Sequence, residues 1–180
     1  MVPDTARMEV ITDAQALREA IERTYNDNTA DFIFIDTAGS AGDWADDIAI
    51  MSDVLVTPVV ASESDFKVGR QTIEWFRGLH ARVPNPEALP PHRVVLTNFP
   101  SKPTKLEFGL MHTALAEFPV INHVVQRRSA YVTMDAVGFL GNVLETYESH
   151  SNALERRRAT IFKEALVEAM DVLNDLLGHK

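Results

Sequence analysis

The sequence predicts an α/β protein: a mainly parallel β-sheet flanked by helices, with a long helix at the C-terminus. Three observations predict it. Residues 32–35 form a continuously apolar, β-favouring run, the pattern of a strand buried on both faces as in a parallel sheet. Further short apolar runs at 54–60 and 94–97 are separated by segments of helical length, the alternation that builds βαβ units. Residues 153–177 then carry apolar side chains at helical spacing without interruption.

Taken in order, residues 8–11 are a short apolar run that reads as a strand. Thr12 or Asp13 is placed to cap a helix, because its side-chain oxygen accepts from a free backbone N–H. Ala16, Leu17, Ala20 and Ile21 fall on one face of that helix, and Asn26-Asp27-Asn28 ends it. The run at 32–35 is the next strand and delivers Asp36 to its end. Residues 44–51 read as a helix, 54–60 as a strand and 65–79 as a helix with Phe66, Ile73 and Phe76 inward. Four prolines between 84 and 91 make a loop. Residues 94–97 are a strand, 105–118 a helix, and a short strand lies around Val120 and Ile121. Along the final helix, Leu154, Ile161, Ala165, Leu166, Ala169, Leu173 and Leu176 lie near one face.

At 180 residues, 46% hydrophobic and 24% charged, the chain suits one globular domain. No apolar run approaches the roughly 20 residues that span a bilayer. The first residues lack the basic and apolar regions of a signal peptide, so the cytoplasm is the expected compartment. There is no cysteine, which excludes disulfides, thiolate metal sites and cysteine nucleophiles. The net charge of −9 is uneven, since residues 1–50 hold three Arg against eleven acidic side chains. That third of the chain repels nucleic acid, while a basic patch is permitted later.

The sharpest motif is Asp31-Phe32-Ile33-Phe34-Ile35-Asp36-Thr37-Ala38-Gly39. An apolar strand presents a carboxylate at its carboxyl end, where open α/β sheets bind ligands. A carboxylate there can hold Mg²⁺ through water. Gly39 lets the following loop bend toward a phosphate and move when that phosphate leaves.

This stretch resembles the Walker B and switch II segment of the ParA/MinD-type P-loop ATPases, in which a strand ends in Asp-Thr-Pro-Gly or a near variant. Further blocks follow in the family's order. Ala49-Ile50-Met51-Ser52-Asp53-Val54-Leu55-Val56-Thr57-Pro58-Val59 is similar to its helix end, strand and proline. Ser62-Glu63-Ser64-Asp65 resembles its polar turn, and Thr72-Ile73-Glu74 the helix beyond. Val94-Val95-Leu96-Thr97-Asn98 resembles its late strand. Phe118-Pro119-Val120-Ile121, Arg127-Arg128-Ser129-Ala130-Tyr131 and Gly138 resemble its C-terminal block, with an arginine before a small helix. The layout is most similar to the VirC1-like proteins of plasmid and T-DNA transfer.

The resemblance implies an incomplete P-loop NTPase (SIMIBI/ParA-like) fold, one domain over residues 1–180, shortened at its N-terminus relative to the family. It implies Asp36 on the Mg²⁺ side, with no direct metal ligand. It implies Thr37, Ala38 and Gly39 as switch II, Asn98 on the adenine side, and Arg127 and Arg128 as candidates for DNA phosphates. ATP and Mg²⁺ would be the cofactors. The partners would be a second copy in a homodimer, non-specific DNA, and a partition or relaxosome-type protein.

One part of the pattern has no counterpart. The phosphate-binding loop needs Gly-x-x-x-x-Gly-Lys-[Ser/Thr], whose backbone N–H groups cradle phosphates while the lysine meets their charge. None of the eight glycines is followed by lysine. ATP hydrolysis by these residues alone is therefore not expected, and no residue is assigned to catalysis. The family's loop also follows a strand inside the sheet. An unpaired buried backbone group costs about 1–3 kcal/mol, so the gap is expected to be met by an upstream start, direct pairing of the neighbouring strands, or a partner chain.

Arg156, Arg157 and Arg158 form the second dense basic run. Glu155 and Glu164 lie beside it, so a solvated helix face is the expected role. Asp43, Asp46 and Asp47 near a helix start complement the helix dipole. His112 and His123 have no carboxylate or serine at a motif spacing. Three functions remain open: an incomplete ParA-like partition or DNA-transfer ATPase, a ParA-like interaction domain that binds no ATP, and an unrelated α/β binding domain or enzyme.

Overall fold

The computed structural model describes residues 6–37 and 44–178. The expected switch residues Ala38 and Gly39, together with Asp43, lie outside the described residues. The element order is α1 (Ala14–Asp27), α2 (Ala45–Ile50), β1 (Leu55–Val60), α3 (Glu63–Arg82), a 3₁₀ turn (Pro86–Ala88), β2 (His92–Thr97), α4 (Lys105–Glu117), α5 (Ser129–Val137), α6 (Leu140–Glu148) and α7 (Ala153–Leu177). It is an α/β arrangement with a two-stranded parallel sheet, flanking helices and a long C-terminal helix.

The helices start and stop where local chemistry dictates. Asp13 caps α1 by accepting from the Ala16 N–H at 2.8 Å, and Asn28 ends it in the left-handed region at φ 48°. Ser62 caps α3, and Thr104 with Glu107 forms a reciprocal capping box on α4. Asn152 opens α7 and Gly178 closes it at φ 72°.

β1 and β2 run in register from the Leu55–His92 pair to the Val60–Thr97 pair. The Leu55 N–H donates to the Pro91 carbonyl. Alternation along a parallel strand then turns Pro58 to the side facing away from β2. Proline has no N–H to lose there, as suits an edge strand. On the other side of β2, residues 119–127 run alongside as an interrupted third strand. Ile121 N–H donates to the Val94 carbonyl, Val125 N–H to Leu96, and Arg127 N–H to Phe99. Three residues lie between Ile121 and Val125, but only one between their partners Val94 and Leu96. Residues 122–124 therefore bulge out of the ladder.

Val59, Phe66, Ile73, Val94, Leu96, Ala114 and Phe118 form the main core between α3, α4 and the sheet. Gly69 permits the close approach of α3, because a Cβ there would lie 3.2 Å from the Val59 side chain. A second core gathers Ala130, Leu140, Val143, Phe162 and Ala165 from α5, α6 and α7. Tyr147 stacks on Phe162 with ring centroids 5.0 Å apart. Gly138, at φ 107°, separates α5 from α6 in a conformation that favours glycine.

Three expectations are corrected. Residues 8–11 are not a strand: Met8 and Val10 are exposed, and Glu9 is drawn to Arg23 of α1. Residues 32–35 are not a strand either. Phe32, Ile33 and Phe34 are 51%, 47% and 81% exposed, and the run takes part in no backbone hydrogen bond among the described residues. Its β-propensity is genuine, but strands are stabilised by neighbours, and no described strand lies beside it. The gap expected in the sheet is thus not closed by pairing 32–35 with β1. Finally, Leu154 and Ile161 are exposed, and Ala159, Phe162 and Ala165 are the buried side chains of α7. α6 was not foreseen, because Gly141 and Asn142 are poor helix formers. Leu140 and Val143 hold it by packing on α7.

A third, smaller core joins Ala49, Phe76 and Leu79 beneath Trp75. His92 faces it, 9% exposed, with its Nε2 2.8 Å from the Thr57 hydroxyl and its ring 5.1 Å from Phe76. Burial lowers the His92 pKa from 6.5 to about 4. The folded state therefore disfavours the charged ring. Stability is full above the unfolded value and falls as pH drops from 6.5 toward 4. At 1.36 kcal/mol per unit, the loss between pH 7 and pH 5 is about 2 kcal/mol. Urea titrations at the two pH values measure it, and His92→Gln is expected to remove that component of the pH dependence.

Candidate functional site

The carboxyl ends of β1, β2 and the 119–127 segment point the same way, so the residues that follow them gather at one end of the sheet. After β1 come Ala61 and Ser62, whose hydroxyl donates to the Asp65 carboxylate at 2.6 Å. After β2 comes Asn98, at φ 52° in the left-handed region, which Asn tolerates better than most residues. That conformation turns the chain into Phe99, which bridges to Gln126.

Here two of the residues selected by the sequence meet. The Arg127 Nε donates to the Asn98 Oδ1 at 3.0 Å across 29 positions of sequence. Both side chains are exposed at the sheet end, where a planar amide and a guanidinium together offer donors and an acceptor to a ligand's polar edge.

Arg128 turns the other way. Its guanidinium donates to Glu168 through Nε (3.3 Å) and Nη2 (3.2 Å), and to Glu164 through Nη1 (3.1 Å). The other Glu168 oxygen accepts from the Gln126 N–H at 3.1 Å and the Tyr131 hydroxyl at 2.9 Å. One carboxylate of α7 thus receives four donors, three from the segment that links the sheet to α5 and one from the first turn of α5. Hydrogen bonds to Glu168, and then its charge, raise the Arg128 pKa. Burial, and then the Glu168 bond, push the Tyr131 phenol well above its ordinary value. Both groups hold their protons across the working pH range.

The bulge at 122–124 makes a second contact with α7. His123 Nδ1 lies 2.8 Å from Asp175 Oδ2, and the His123 N–H donates to the same oxygen at 3.0 Å. The His123 side chain, first among several donors, lowers the Asp175 pKa. A hollow of about 610 Å³ opens between this bulge and α7, lined by His123, Arg128, Lys163, Glu164, Glu168 and Asp171 among others. Its walls mix both signs of charge.

Asp36 stands apart. It is exposed and has no hydrogen-bond partner among the described residues. It borders a hollow of about 660 Å³ formed by residues 6–11, α1, residues 29–36 and Trp44, which neither Asn98 nor Arg127 borders. Thr37 is exposed beside it. No group of three potential metal-ligating side chains occurs among the described residues. The second basic run is solvated as expected. Arg156 donates to the His150 and Ser151 carbonyls, and Arg158 pairs with Glu155. Asp46, beyond its place in the first turn of α2, accepts from Trp75 Nε1 and Arg82; the Arg82 hydrogen bond, above all, lowers its pKa.

Sequence reasoning missed Glu168 and Asp175. Both read as ordinary solvent-facing acids of an amphipathic helix, and their partners lie 40 and 52 positions away. No family model, curated protein or solved structure matches the chain. Among the described residues, no helix is long and apolar enough to cross a membrane.

Proposed function

We propose that this chain is a ParA-like protein of plasmid or chromosome partition or of DNA transfer, which does not hydrolyse ATP with these 180 residues alone. The observation that carries the reading is the Arg127–Asn98 hydrogen bond. Two motif blocks chosen separately for their likeness to the family meet at the carboxyl end of parallel strands, where such sheets bind ligands. In this reading Asn98 borders the adenine side of a nucleotide site, the neighbouring Arg127 meets DNA phosphates, Asp36 belongs to the Mg²⁺ side, and Thr37, Ala38 and Gly39 form the switch. A homodimer, non-specific DNA and a partition or relaxosome-type protein are its partners. The second reading, a ParA-like interaction domain that binds no ATP, is favoured by the absence of any Gly-Lys step and by the hollow beside Asp36, which neither Asn98 nor Arg127 lines.

Two titrations test this. MgATP added to the 180-residue chain is expected to give no saturable binding in the micromolar range by calorimetry. Micromolar binding would show that the phosphates are held without a Gly-x-x-x-x-Gly-Lys loop. Non-specific duplex DNA is expected to bind in low salt, through Arg127 rather than the engaged Arg128. Arg127→Ala should weaken binding on every sequence and reduce the log–log salt slope by about 1. No DNA binding at low salt removes the DNA role, and an unchanged slope moves it off Arg127.

A further inference from the structure

We propose that α7 pairs with the α7 of a second copy of this chain, parallel and in register, along Val167, Met170, Asn174 and Leu177. This gives the homodimer named above a contact surface, argued from α7 alone and using neither nucleotide nor the Asn98–Arg127 contact.

The helix has two apolar faces. One is buried: Phe162 and Ala165 pack on α5 and α6. The other is open to solvent. Val167, Met170 and Leu177 are 54%, 50% and 39% exposed, and the exposed Asn174 sits between the last two. Their spacing of three, four and three residues is that of a coiled-coil seam, in which two helices meet every 3.5 residues. The residue types are also those of a two-stranded parallel pair. Val167 and Asn174 fall at one seam position, and Met170 and Leu177 at the other. A β-branched residue at the first and an unbranched-at-Cβ residue at the second favour two strands, and a single Asn at the first fixes register by bonding its own copy.

That Asn identifies the occupant. A seam covered by an unrelated apolar helix would leave the Asn174 amide without a partner, at a cost of about 1–3 kcal/mol. A second α7 in register supplies an identical amide to meet it. The preceding seam positions are Thr160 and Lys163, and two Lys163 ammonium groups repel. The pairing is therefore confined to the C-terminal part of the helix, and the dimer is reversible.

Sedimentation equilibrium of the full chain without nucleotide is expected to show a concentration-dependent monomer–dimer equilibrium. Met170→Glu places a charge on the seam without touching the buried face, and is expected to weaken association about tenfold or more with unchanged circular dichroism. Asn174→Val is expected to shift it the other way and admit larger oligomers. Because the chain has no cysteine, a single Asn174→Cys reports direction. Parallel in-register helices bring the two sulfurs together, and mild oxidation then yields a crosslinked dimer. A chain that stays monomeric at all concentrations, a dimer indifferent to Met170→Glu, or an Asn174→Cys dimer that fails to crosslink each overturns the proposal.

Discussion

Glu168→Ala is expected to destabilise the protein by about 3 kcal/mol, the lower end of the cost of removing one partner from a buried ion pair. The lower end applies because Arg128 keeps 21% of its side chain in solvent, against 10% for Glu168, and can partly rehydrate. The Tyr131 hydroxyl keeps a second acceptor, the Ala165 carbonyl at 3.2 Å, whereas the Gln126 N–H has no other partner among the described residues. For a chain of this size the melting temperature falls by roughly 6–12 °C, measured by thermal circular dichroism. Glu168→Gln retains an acceptor and loses the charge, so it should fall between the variant and the parent. A double-mutant cycle with Arg128→Ala should return a coupling of about 1.5 kcal/mol or more. Additive losses would show that the two side chains do not act as a pair.

Phe66→Ala is expected to cost about 4 kcal/mol, within the range for emptying a buried aromatic site. Phe66 is 1% exposed, and its ring lies 5.3 Å from that of Phe118. It joins α3 to β1 and to the end of α4, so collapse around the cavity would have to move three elements. Phe66→Leu should lose about 1.5 kcal/mol, because most of the volume is kept. Urea unfolding distinguishes the two. A cost for the alanine variant no greater than that for leucine would mean the main core is not centred on this ring.

What could be read in the sequence follows the range of the forces involved. β1, β2, α3, α4 and α7 were legible because apolar periodicity and capping are local. Asn152 and Gly178 bound α7 at the residues where its pattern starts and stops, and Thr104 with Glu107 announces α4. Asn98 and Arg127 were each singled out by the ordered motif blocks, but in separate roles; their contact depends on how residues 119–127 lie beside β2, which no spacing encodes. The Glu168 network was illegible because it depends on how the 119–127 segment lies over α7, which no spacing encodes. Residues 32–35 show the limit from the other side. Their composition states a preference for strand, but a strand is a property of a pair, and the preference goes unmet without a neighbour.

Pro58 gives the outer edge of the sheet a grammar of its own. An incoming strand would find carbonyls along β1 ready to receive its N–H groups, but midway it would meet a rung that cannot be returned. Whichever strand lies there must turn one carbonyl to water or carry its own donor for it. The edge thus discriminates by position, refusing the long, even ladders of indiscriminate aggregation while leaving room for a short, irregular segment whose break falls opposite the proline.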